Sequence, residues 1–193
     1  MLAGQSFILG RDKREKTGGF CMMDGLELDG ILPEEQAGFI AFSDKAVGTN
    51  INPQTLLATD YLNHFNEIIM MLDMIPDMPD CLEDAQAWSP KSYQDHFRDS
   101  QFRDRALAIE AYDHVPSKYR VPFEEVIGQM NRLVAASIVR IAEVLEGGEA
   151  EQLRYICSEA SHGVQKLMDV ASAVIHGSTK ILAQSEIDGF LAH

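Results

Sequence analysis

The feature that most constrains this chain is a helical period in its apolar residues, sustained from Pro53 to Gly177. In 122–146, Phe123, Ile127, Met130, Val134, Ile138, Ile141 and Leu145 make one stripe, closed by Gly147-Gly148. In 149–176 the stripe is Leu153, Ile156, Ala160, Val164, Leu167, Ala171 and Val174. Segment 53–75 repeats the pattern through Leu57, Tyr61, Phe65, Ile68, Ile69, Leu72 and Ile75, and stops at Pro76. Segment 90–114 opens at Ser89-Pro90 and carries Tyr93, Phe97, Phe102, Ala106, Ile109 and Tyr112. Four amphipathic helices on short links predict a mostly α chain, an antiparallel four-helix bundle over 53–177.

Residues 1–52 break the period. Glycines recur, and Asp24-Gly25 and Asp29-Gly30 are hairpin-type dipeptides. The expectation is an irregular arm with a small hairpin and one helical turn at Pro33-Glu34-Glu35-Gln36. Residues 178–193 follow the last glycine break as a separate tail.

Charge narrows the partners. A formal net charge of −14 over 193 residues repels phosphate backbones and anionic membrane surfaces, and favours basic partners. No apolar run reaches a membrane span, and the N-terminus has no signal-peptide pattern. Three dispersed cysteines, Cys21, Cys81 and Cys157, fit a reducing cytoplasm.

The tail carries the sharpest functional signal. Leu182, Ile187, Phe190 and Leu191 sit at helical spacing, with Gln184, Glu186 and Asp188 between them. So short a stripe packs on the body or on a partner's groove. Ile181–Leu191 resembles the docking peptide of the flagellar motor switch protein FliM, close to Ile-Leu-Ser-Gln-x-Glu-Ile-Asp-x-Leu-Leu. More loosely, it resembles the C-terminal peptide of the CheZ chemotaxis phosphatase. Both bind the response regulator CheY. The resemblance implies a cytoplasmic protein of bacterial chemotaxis and flagellar motility, bound to a CheY-like receiver through Leu182, Gln184, Glu186, Ile187, Asp188, Phe190 and Leu191.

A second stretch, Phe123-Glu124-Glu125-Val126-Ile127-Gly128-Gln129, resembles the CheZ catalytic sequence Phe-Gln-Asp-Leu-Thr-Gly-Gln. The resemblance implies a receiver phosphatase. Gln129 would orient the water that attacks the aspartyl phosphate, and Glu125 would pair with the receiver's lysine. Glu125 replaces an aspartate and is one methylene longer. Four residues apart, the two share a helix face, which the wheel places towards solvent. An amide that donates and accepts can place a water in line. No cofactor of its own is implied; Mg²⁺ would belong to the receiver. The link from Gly177 to Lys180 reaches only about 13 Å, so tail and Gln129 would engage one receiver in trans, within a homodimer.

Two rival readings use other residues. His162, opposite the Leu153/Ala160/Val164/Leu167 stripe, is placed like the exposed histidine of phosphotransfer domains, with Gly163 beside it for close approach of a partner. The His-x-Leu-Lys-Gly wording of that family is absent. Glu159-x-x-His162, with His64-x-x-Glu67, resembles the ligand spacing of ferritin-like or hemerythrin-like di-metal bundles. Here only one pair has the required order, and the wheel places His64 and Glu67 on a flank away from the core stripe. Trp88, with Pro90 and Tyr93, is expected to form an aromatic clasp over the loop between the first two helices.

Overall fold

The structure is a computed structural model and describes residues 28–178. Among these residues it is helical, without strands. The helices are α1 (Pro33–Ala46), α2 (Asn63–Met74), α3 (Cys81–Ala87), α4 (Tyr93–Asp99), α5 (Arg105–Tyr112), α6 (Ser117–Gly147) and α7 (Ala150–Ile175). A 3-10 turn over Thr59–Leu62 leads into α2.

The long α6 and α7 make the dominant contact and form an antiparallel hairpin. Gly148 turns the chain at φ +74°, in the left-handed region that glycine enters without steric cost. The two helices approach closely because Gly163 lacks a side chain: a Cβ there would lie 2.9 Å from Leu133 Cδ2. Against α7 lies α2, running antiparallel, since Asp77 accepts from Arg154 at 2.6 Å and Asp73 from Ser161. Helix α3 bridges α2 to α6, and α4 and α5 pair with each other.

The predicted elements shift where side chains compete for the backbone. Residues 53–58 are not helical. Asn52 Oδ1 accepts from the Gln54 amide at 2.8 Å, an Asx turn. The turn continues through Leu56, a buried leucine at φ +62°. Segment 90–114 is two helices. Ser100 ends the first, its hydroxyl donating to the Phe97 carbonyl at 3.1 Å and accepting from the Phe102 amide. Helix α6 begins at Ser117, ahead of Pro122, because a distant residue caps it. Glu35 on α1 accepts from the Ser117 amide at 3.0 Å, satisfying a donor at the helix start. Pro122 then sits inside the helix at the loss of one backbone bond.

The expected single turn at Pro33 is a fourteen-residue helix. Its Phe39 is 1% exposed. Gly38 allows α1 to lie on His114, where a Cβ would meet Nδ1 at 2.3 Å, and Phe42 stacks on the same imidazole. Asp29-Gly30 turns the chain into α1 rather than closing a hairpin. Residues 1–27, including the rest of the expected hairpin, and the tail from Thr179 onward lie outside the described residues.

At the other end, α7 stops where its sequence predicts. Gly177 has φ +95°, and the Ser178 amide donates back to the Ala173 carbonyl at 2.9 Å while Gly177 donates to Val174.

Candidate functional site

Among the described residues, those singled out from sequence do not converge, and Leu182, Gln184, Glu186, Ile187, Asp188, Phe190 and Leu191 lie outside the described residues. Gln129, expected on the wet face of α6, is 5% exposed and belongs to the core. Its Oε1 is buried with no hydrogen-bond partner. Glu125 is exposed. A four-residue step advances the helix wheel by about 40°, enough to cross the boundary from surface to core. Gln129 lies on the side that carries Leu133, which faces Gly163 of α7.

His162 is exposed on α7, as expected, and so is Glu159. Gly163 serves a different purpose from the one expected. It is buried, and its missing side chain makes room for Leu133 rather than for a partner.

His64 is a correction as well. It is 4% exposed rather than on a flank. Its Nε2 lies 3.0 Å from the Ser89 carbonyl, so that nitrogen carries the proton and donates. The ring stacks on Trp88 at 4.6 Å between centroids, and Trp88 Nε1 donates to the His64 carbonyl at 3.3 Å. Trp88 thus packs on His64 and Phe65 of α2. Burial lowers the His64 pKa, only partly offset by the Ser89 bond and the Glu67 carboxylate 3.8 Å from Nδ1. This imidazole is a structural joint. Among the described residues no three His, Cys, Asp or Glu side chains gather in a metal-binding group, so His64, Glu67, Glu159 and His162 do not form one set.

The structure instead forms a cleft of about 390 Å³ between Pro90–Gln94, the stretch that leads into α4, and α6. Tyr61, Tyr93, Tyr112 and Phe123 supply aromatic wall, and Glu124, Gly128 and Asn131 supply the α6 side. Tyr112 stacks on Tyr93 with centroids 4.6 Å apart and planes 16° apart. Its hydroxyl donates to Glu124 Oε1 at 2.9 Å. Burial, with that bond, raises the Tyr112 pKa and keeps the phenol protonated. The Tyr61 hydroxyl donates to the Lys91 carbonyl at 2.8 Å, and Tyr93 Oη accepts from the Ala58 amide at 2.8 Å. Lys91 at the rim is paired with Asp99 at 2.8 Å. Asn131 Oδ1 is buried without a partner.

Sequence reasoning passed over these residues. Their signal was the spacing Glu124-x-x-x-Gly128-x-x-Asn131, one helix face that an apolar stripe does not claim. The opposing wall comes from segments far away in sequence, which no local pattern joins.

No protein-family model, curated protein or solved structure matches the chain.

Proposed function

We propose that this protein is a cytoplasmic binding partner of a CheY-like receiver, held through Ile181–Leu191, and that it does not itself hydrolyse the receiver's phosphate. The likeness of that segment to the FliM docking peptide carries the reading. Two observations support it. Helix α7 ends at Gly177 in a capped, left-handed turn, so the helix stops ahead of the tail sequence. The net charge of −14 suits a partner with a basic rim. The burial of Gln129 is why hydrolysis is left out. In this reading the helical body is an antiparallel four-helix core, with α2, the α4–α5 pair, α6 and α7 as its members, and it carries the tail without a cofactor.

Titration of the full chain with a phosphorylated and an unphosphorylated CheY-like receiver tests this. Saturable binding is expected. Replacing both Ile187 and Phe190 by Ala should weaken it at least tenfold, about 1.4 kcal/mol. Equal affinity for the doubly substituted chain refutes the docking role. Free phosphate should appear no faster with the chain than without it.

A second reading, phosphotransfer through His162, is favoured by the exposure of that side chain. Acid-labile phosphate on the chain after incubation with phosphorylated receiver, lost in His162→Gln, would select it.

A further inference from the structure

We infer that the cleft between the Pro90–Gln94 stretch at the start of α4 and α6 binds a small cation, an ammonium or guanidinium group on an apolar stem, independently of any receiver.

The cleft has hydrogen-bonding capacity left over. Glu124 uses one carboxylate oxygen on Tyr112. Asn131 has an amide oxygen that is buried and unpaired. An orphaned acceptor costs free energy, and the half-buried Asn131 recovers it on a ligand's N–H when its amide turns into the cleft. Both residues lie on one face of α6, seven residues and roughly 10 Å apart along the axis. Between them Gly128 presents no side chain, and the nearest atom a Cβ would meet is an Arg132 nitrogen at 3.4 Å. The α6 wall is therefore acceptor, gap, acceptor.

The opposite wall suits the same chemistry. Across from α6, Tyr112 stacks on the buried Tyr93 and, as the half-buried member of the pair, offers ring surface to an apolar stem and a cation, with Tyr61 and the α6 residue Phe123 also in the lining. The phenolic protons of Tyr112 and Tyr61 are already placed, on Glu124 and on the Lys91 carbonyl. An anion would meet the Glu124 carboxylate and gain little from Lys91, whose ammonium is paired with Asp99. The volume, about 390 Å³, is within the range of small-ligand sites. The net charge of −14 raises the local concentration of cations.

The cation has two sources, a free amine or the Lys or Arg side chain of a protein. Calorimetric titration of the full chain with agmatine, putrescine, N-acetyl-arginine methylamide and, as an anionic control, butyrate separates them. At least one of the cations should bind saturably, with a dissociation constant of about 1 mM or below. Tighter binding of a free amine supports a free ligand, and tighter binding of the blocked arginine supports a protein side chain. Glu124→Gln keeps an acceptor for Tyr112 but removes the charge, and should weaken binding at least tenfold. Gly128→Leu fills the gap while favouring the helix, and should abolish binding with the circular dichroism unchanged. Three results each overturn the inference: no saturable heat from any cation, butyrate binding as well as the cations, or full affinity in Glu124→Gln.

Discussion

The α6–α7 hairpin and the 53–115 region are built by different means. In the hairpin, two apolar stripes interdigitate along helices of 31 and 26 residues, with few side-chain bonds to the backbone. In the 53–115 region the helices have 12 residues or fewer, and the joints between them are specific polar and aromatic contacts. Thr55 donates to the Ile175 carbonyl at 2.7 Å, Tyr93 accepts from Ala58, His64 donates to Ser89, and Gln94 donates to the Ile109 carbonyl at 3.1 Å. Continuous burial tolerates the loss of any one polar group. A stitched region leaves a buried donor or acceptor unpaired when a stitch is cut.

The largest effect that sharpens this contrast comes where the two regions meet. Phe123 projects from α6 into the rings of Tyr61 and Tyr93, with centroids at 5.7 and 6.0 Å. Phe123→Ala should cost about 3–5 kcal/mol in denaturant unfolding. Next comes a stitch. Thr55→Val keeps the shape, but strips the Ile175 carbonyl and the Leu57 amide of their partner. A loss of about 1–3 kcal/mol is expected. A loss below about 0.5 kcal/mol would break the comparison, since single stitches would then carry no more than ordinary surface groups.

A smaller effect is set by pH. Burial depresses the pKa of both His64 and His96 below the ordinary 6.5. The surrounding charges are Glu67, Asp60 and Lys91, and burial outweighs them. As pH falls, the unfolded chain takes up protons before the folded one. The stability these neutral rings allow is therefore complete above 6.5 and is lost as pH drops from there towards the folded values. Unfolding midpoints measured between about pH 7 and pH 5 should fall, and His64→Asn should flatten part of that slope. The smallest expected effect belongs to the hairpin. Gln129→Met removes an unsatisfied buried oxygen at similar volume, and should be neutral or stabilising by about 1 kcal/mol in thermal unfolding.

The same contrast explains what the sequence discloses. Where one stripe governs, the period reads correctly: α7 runs within a residue of 149–176, and Gly148 and Gly177 stop the helices they follow. Where a side chain outcompetes the helix, the period misleads. Asn52 and Ser100 interrupt it locally, and Glu35 starts α6 early from 82 residues away. Gln129 shows the limit of the wheel for a single residue at the edge of a stripe, since polarity suggests the surface and packing against α7 decides otherwise. His64 shows the same outcome from another cause, a polar residue made internal by a carbonyl and an indole that no local pattern announces. The cleft was invisible for the same reason, its two walls being joined only by the fold.

The tail is the most direct test of the functional account. A peptide of residues 178–193, added to a complex of the full chain with a CheY-like receiver, should compete the chain off and reach the receiver alone with affinity within about tenfold of the full chain's, a difference of about 1.4 kcal/mol or less. A receiver that binds the full chain but ignores the peptide would contradict the docking claim and move the interface to the helical body.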